Sequence, residues 1–443
     1  MSTPVILRYM IMKYFILFVT ILFLTSCDKK GQKRLSTIRN VTSSEIKGLL
    51  PKSNSLIVRK NELPISIIVP VSSKENVRVS DIVKEINVLA LETKKECLIG
   101  NIDELVVNKT AIFILDKPQK KVFCFDKKGK FKFLIDSFGK GPGEYIGLSD
   151  MYMNRDKLFL LDSDQNKILK YSLEGQFIGE QIISFPYNFQ NFGIHENDVM
   201  ITFTNHIADI VPDLEYDLVT LNDLGKIKSR NLPYNKIYNT YRYNQPTSFY
   251  NKNDTLHYIS LLKNSVFKIF DGVIEKKYEI DFGKNKVDEE RISKLKKYDF
   301  SGSLEDNQKI LKEFEDVLEQ YSLGPNEFFE SDSHVIINYL KNRVPYTAYY
   351  CKKTKNIKLN DIMSTDGELG ILFKTVKPRA MYKNIFYSTV NPNTFLQFHR
   401  STFKGKTLDY IYKRYPKYHS LIQNFEKDEN ANPHLVIMNF KEF

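Results

Sequence analysis

The sequence predicts an all-β fold: a six-bladed β-propeller of four-stranded antiparallel blades, with a short α-helical insertion and closure by a C-terminal strand. Three observations predict it. Ile112–Phe131 is repeated in Leu158–Phe177, pairing Asp116 with Asp162, Val122 with Ile168, Phe125 with Tyr171, Gly129 with Gly175 and Phe131 with Phe177, each pair 46 positions apart. A fixed period of that length suits one blade of four short strands. The 443 residues include 31 Phe and 26 Tyr but no Trp, and aromatic and β-branched residues favour half-buried pleated strands. The chain also ends in a strand-like run, Pro433–Phe440, which a ring of blades needs to seal its last edge.

The first segment, 1–26, reads as an export signal. Lys13 precedes an almost wholly apolar run, Tyr14–Leu24, which is too short to cross a bilayer core of roughly 30 Å as a helix. Leu24-Thr25-Ser26-Cys27 then matches a lipobox, which predicts cleavage before Cys27 and lipidation of its thiol. Met12 is an alternative start, because the residues before it add nothing to such a signal. Residues 27–60 follow as a tether that opens with the basic stretch Asp28–Arg34. Cleavage removes Arg8 and Lys13 and lowers the formal charge of +12 by two. Basic charge beside an anionic leaflet adds modest attraction. The lysines are dispersed rather than grouped on one face, which argues against nucleic acid as the partner. Cys97, Cys124 and Cys351 remain, with no C-x-x-C; a Cys97–Cys124 bridge is compatible with an oxidising compartment but not required.

The ring is expected to occupy 61–443. Ile65–Val71 and Asp81–Glu92 lead in. Blade one runs through Leu105–Val107, Ala111–Leu115, Lys121–Asp126 and Phe131–Ile135, with Gly129 supplying the positive φ of a tight hairpin. Blade two repeats it through Met151–Met153, Leu158–Asp162, Lys167–Ser172 and Gln176–Glu180. Blade three falls at about 190–232, where Leu218, Leu221, Gly225 and Ile227 reproduce the spacing. Blade four holds Leu256–Leu261, Val266–Phe270 and Lys277–Phe282. Blade five holds His334–Leu340, Thr347–Cys351 and Ile357–Leu359. Blade six holds Gly370–Lys374, Met381–Tyr387 and Phe395–Phe398. The insertion at 286–325 carries Ile310, Leu311, Phe314, Val317, Leu318 and Tyr321 at helical spacing, with Ser303 and Asp306 as a capping pair and Gly324-Pro325 as the stop. A second helix is expected over Pro416–Phe425. The terminal strand, 433–440, should pair near Ile65–Val71 or Ile86–Leu91, so deleting 430–443 should collapse solubility.

Several segments together resemble the six-bladed β-propeller lipoproteins of gut-type Gram-negative bacteria, relatives of NHL-repeat propellers. They are Leu91-Glu92-Thr93 with Leu98-Ile99-Gly100, Phe123–Gly129, Phe138–Tyr145, Tyr278–Gly283 and Asn432-Pro433. The resemblance covers about 60–443. It implies the fold and the anchor, and it supplies no catalytic residues.

Gly139-Lys140-Gly141-Pro142-Gly143 lacks the spacing and the following helix of a phosphate loop, and reads as an inter-blade turn. Asp162-Ser163-Asp164 begins like a calcium loop, but Lys167 and Leu173 stand where Gly and Glu are needed, so Asp162 reads as a turn cap. His195, His257 and His334 are the candidate metal ligands, since equivalent blade positions can converge on a central channel and three His with an open position make a catalytic zinc site. Against that, the three are scattered and no His-x-His occurs, so no metal and no cofactor is expected. No Gly-x-Ser-x-Gly and no His-Glu-x-x-His is present. The expected function is a non-enzymatic binding or assembly module, lipid-anchored in the outer membrane on its periplasmic side, with an envelope protein or a glycan as partner. The alternative is a lyase or hydrolase working in the propeller channel.

Overall fold

The computed structural model describes residues 57–59, 63–72, 77–183, 189–196, 198–203, 216–233, 248–260, 263–286, 303–319, 321–342, 344–360, 363–364, 370–403 and 406–443. The signal segment, Cys27 and most of the tether lie outside the described residues.

Six antiparallel sheets form the six blades, each contributing its first strand to the centre. Blade one comprises Glu104–Val107, Ala111–Asp116, Lys121–Asp126 and Phe131–Ile135. Blade two comprises Leu148–Asn154, Lys157–Asp162, Lys167–Ser172 and Phe177–Ile182. Blade three comprises Phe189–His195, Asp198–Phe203, Tyr216–Leu221 and Ile227–Pro233. Blade four comprises Phe249–Lys252, Thr255–Ser260, Ser265–Phe270 and Val273–Asp281. Blade five comprises Ser322–Glu330, His334–Lys341, Val344–Cys351 and Ile357–Leu359. Blade six is composite: Ala380–Tyr382, Ile385–Val390 and the terminal strand His434–Phe440, with Val83–Leu89 outside. The terminal strand is therefore sandwiched between two others, with Leu435 opposite Leu89 and Met438 opposite both Ile86 and Phe386. Of the two expected partners, the one near Ile86 is the one used.

The buried apolar residues lie mainly in the seams between adjacent blades. Phe113, Cys124 and Tyr145 pack between blades one and two. Ile259, Tyr278, Phe328 and Ile337 pack between blades four and five. Turn glycines set these seams. Gly129 has φ +80°, and a Cβ there would stand 2.1 Å from the Ala90 carbonyl oxygen, just beyond blade six's outer strand. Gly225 has φ +69° and presses equally closely on Ile182 O of blade two. Each hairpin thus requires both a left-handed backbone and no side chain.

Four local expectations are corrected. Phe395–Phe398 lies in a helix, Pro392–Thr402, and Gly370–Lys374 lies in the helix Gly370–Thr375. The Asn391 side chain accepts the Thr394 N–H and Pro392 occupies the first turn, so the capping chemistry overrides the apolar run that suggested a strand. Gly324-Pro325 does not stop the insertion helix. That helix spans Leu304–Leu318, capped by Ser303 Oγ accepting Asp306 N–H at 3.1 Å, while Gly324-Pro325, with a cis peptide, sits at a bulge inside blade five's inner strand. Ile65–Ile68 leads into no neighbouring blade; with Ile57–Arg59 it pairs in parallel along Val273–Asp281, the rim of blade four. The Cys97–Cys124 pairing, which the sequence allows without requiring, is not formed: Cys97, Cys124 and Cys351 are free and buried.

Candidate functional site: the central channel

A cavity of about 410 Å³ runs between the inner strands, and residues of all six line it. Its walls combine aromatic faces (Tyr152, Phe192, Tyr250, Tyr382) with charged groups from different blades. The strand order places these groups in two tiers. Glu104, Asp150, Ser248 and Arg379 mark the end where the inner strands begin; Lys252, Glu330 and Lys383 mark the end where they finish.

The first tier links blade to blade. Glu104 Oε2 accepts the Met151 N–H at 2.6 Å, Asp150 Oδ2 accepts the Phe192 N–H at 2.9 Å, and Asn191 Oδ1 accepts from Ser248 Oγ at 3.0 Å. Inner-strand backbone that faces a channel has no sheet partner, and these side chains supply one. Glu104 Oε1 also meets Lys117 Nζ at 2.7 Å. Burial pushes both carboxyls above their ordinary values; the Lys117 ammonium opposes the rise at Glu104, whereas the Glu104 charge adds to it at Asp150. The upward push is the stronger at Asp150, where burial and the neighbouring carboxylate act together. Glu104 and Asp150 stand 46 positions apart, the spacing of the blade repeat, and that signal could have located them in the sequence.

The second tier centres on Glu330, whose side chain is 2% exposed. Lys352 at 2.7 Å, Lys277 at 2.8 Å and Lys252 at 3.3 Å converge on its carboxylate, as do the hydroxyls of Tyr250 and Tyr278, each at 3.0 Å. Desolvation raises the Glu330 pKa, but the Lys277 and Lys352 ammoniums outweigh it and hold the carboxyl well below its usual range. No sequence signal points to this cluster, because its members come from three strands and from Lys352, just past the end of a fourth, with no common period.

The three candidate histidines do not converge on the channel. His257 lies in the second strand of blade four, stacked on Tyr250, with Nδ1 3.0 Å from Thr255 O and Nε2 3.0 Å from Lys277 Nζ. His334 opens the second strand of blade five, with Nε2 3.0 Å from Lys441 O and Nδ1 2.9 Å from Ser333 Oγ. His195 ends the inner strand of blade three, half-buried. Among the described residues no group of three or more His, Cys, Asp or Glu is placed to hold a metal ion.

The other motifs are structural. Asp162 accepts N–H groups of Ile146, Gly147, Asp164 and Gln165, which occupies the oxygens a calcium ion would need. Asp116 accepts Gly100, Asn101 and Gln119 N–H in the same way. In the Gly-rich turn, Glu144 Oε2 accepts Gly141 N–H at 2.8 Å, and buried Tyr145 donates to Ile135 O at 3.0 Å.

Burial, with Lys277 beside it, pushes the His257 pKa down from 6.5 to about 3. Between those values the unfolded chain takes up the proton and the folded chain does not, so stability falls as pH drops below 6.5. His334, His399 and His434 are shifted in the same direction by burial. Thermal melts from pH 7 to pH 5 should show progressive loss, and His257→Gln should reduce the slope by up to about 1.4 kcal/mol per pH unit. An unchanged slope in that variant would mean that His257 is charged in the folded protein.

Residues 64–439 match the model of a domain of unknown function, DUF4934. No curated protein matches the chain. A solved structure of a Bacteroides fragilis protein described as exported is similar at 16% identity and a TM-score of 0.62, over 85% of this chain and 100% of that one, which bears on the fold alone. A DUF4221-family member from Bacteroides vulgatus is 9% identical with a TM-score of 0.44, over 81% and 97% of the two chains. Virginiamycin B lyase from Staphylococcus aureus is 12% identical with a TM-score of 0.35, over 69% and 81%.

Proposed function

The chain belongs to the DUF4934 family, and we propose that it is an exported, lipid-anchored binding module whose propeller channel takes up a small polar ligand without turning it over. The observation that carries this reading is the cavity of about 410 Å³ walled by all six inner strands. Ligand sites of roughly 300–1,000 Å³ combine apolar and aromatic walls with a few fixed polar groups. Here rings of Tyr250 and Tyr382 face a channel that also carries Asp150, Glu330 and Arg379. A rigid ring holds such groups at low reorganisation cost. A glycan fragment, with many hydroxyls and flat apolar faces, suits this wall.

The anchor rests on the Leu24-Thr25-Ser26-Cys27 sequence, with Cys27 as the acylated residue and the outer membrane, periplasmic side, as the address. None of the described helices is long and apolar enough to cross a membrane. Cys27→Ser should move the protein from the membrane fraction to the soluble fraction and abolish incorporation of labelled palmitate. Retained labelling would overturn the anchor.

Ligand uptake is tested by scanning fluorimetry with a panel of soluble oligosaccharides. At least one should raise the melting temperature saturably, and Met153→Trp, which narrows the channel, should remove the shift. A shift that survives Met153→Trp would place binding elsewhere. One observation favours a second reading, a lyase or hydrolase: two carboxyls, Glu104 and Asp150, stand in the cavity wall, with Asp150 pushed upward by burial and by the Glu104 charge, the kind of pair that acid–base chemistry uses. Turnover of a bound oligosaccharide, lost in Asp150→Asn, would select it.

A further inference from the structure

We infer that the seam between blades four and five, beside the channel, holds a small oxyanion, coordinated by Lys252, Lys277 and Lys352. Three ammonium groups contact a single buried carboxylate, Glu330, at 3.3, 2.8 and 2.7 Å. The neighbouring imidazole, His257, adds no negative charge. The pocket therefore carries a surplus of two positive charges. Asp332 offsets part of it, lying 3.3 Å from Lys252, but its side chain is 72% exposed and its charge is screened by water.

Hydrogen-bond capacity gives the same result. Each ammonium has three donors. Lys252 spends its donors on Glu330, the Ser331 carbonyl and Asp332. Lys277 meets Glu330 and His257 Nε2, and Lys352 meets Glu330 and Ser331 O. Among the described residues Lys277 and Lys352 each meet two partners, which leaves one donor apiece for a ligand, and their side chains keep 23% and 24% exposure. Glu330 itself is saturated by five donors, so it has no lone pair left to absorb the surplus. A group that offers several acceptor oxygens and a negative charge satisfies both deficits at once: a carboxylate, sulfate or phosphate. Lys277 and Lys352 are also shifted downward, first by burial and in part by other lysines, as expected of cations crowded together without enough counter-charge.

The site adjoins the channel wall, with Lys252, Glu330 and Asp332 lining the cavity and Lys277 and Lys352 behind it, and Met153→Trp on blade two should leave it intact. Calorimetric titration of the mature protein with inorganic sulfate, inorganic phosphate and acetate, at constant ionic strength made up with sodium chloride, tests it. One equivalent should bind saturably. Preference for acetate assigns a carboxylate ligand, and preference for sulfate or phosphate assigns a tetrahedral one. Lys277→Met and Lys352→Met should each weaken binding about tenfold, and Lys352→Arg should restore most of it. Without the anion, Lys352→Met should melt no lower than the parent, because Glu330 keeps two ammoniums and both hydroxyls; a purely structural lysine would give a lower melt. Asp332→Asn, at an exposed position, should tighten binding and reads the site even where a lysine variant does not fold. The inference is overturned if none of the three anions binds saturably, if the lysine variants bind as the parent does, or if Asp332→Asn leaves the affinity unchanged.

Discussion

Deletion of residues 430–443 is expected to abolish the cooperative thermal transition and leave the protein insoluble. The terminal strand His434–Phe440 lies between Ile385–Val390 and Val83–Leu89, so its loss strips one partner from each and leaves Val83–Leu89 without a neighbour among the described strands. Those two strands would present unpaired edges, and exposed edges pair with other chains. The deletion also removes Asn432, 2% exposed, whose side chain joins the two ends of the ring. Its Nδ2 donates to Glu92 O and Cys97 O, each at 2.8 Å, and its Oδ1 accepts the Ile99 N–H at 2.9 Å. Asn432→Ala alone should cost about 2–4 kcal/mol, since it orphans buried backbone groups. A deletion variant that stays soluble and melts cooperatively would mean that the ring closes by other means.

Asp162→Ala should be the most damaging single change outside the core, at about 3–5 kcal/mol. The carboxylate is fully buried and gathers four backbone N–H groups, two from the strand-to-strand turn and two from the inter-blade loop, with Gln165 Nε2 at 2.7 Å as a fifth donor. Alanine leaves those donors without acceptors in a region closed to water. Asp162→Asn preserves the shape but sets an NH₂ group against N–H donors, and should lie between the two. Chemical denaturation of both variants checks the order. An Asp162→Ala loss under 1 kcal/mol would show that water replaces the carboxylate at no great cost.

These two features were legible to different degrees. Asp116 and Asp162 announced themselves because the blade repeat brings identical residues to identical turns. The same period joins Glu104 to Asp150, but an acid among strand residues draws less notice than one beside a turn, and the inter-blade amide it accepts is invisible in one dimension. The segments misread as strands, Phe395–Phe398 and Gly370–Lys374, are short apolar runs, for which periodicity cannot separate helix from strand. Asn391-Pro392 was the available signal, a cap followed by a first-turn proline. The lysines around Glu330 could not be found at all. Lys252 and Lys277 belong to different strands of blade four and Lys352 to a turn of blade five, and only the packing of blade four on blade five brings them together.

The N-terminal strands along blade four bear on mechanics. Ile57–Arg59 and Ile65–Ile68 run parallel to Val273–Asp281, in register over three and four residues. Tension entering from the N-terminal side would pull along these strands, loading their hydrogen bonds together in shear rather than unzipping them one by one. The wheel would thus tolerate drag at that attachment better than at its terminal seam, and force spectroscopy from the two ends should record the difference.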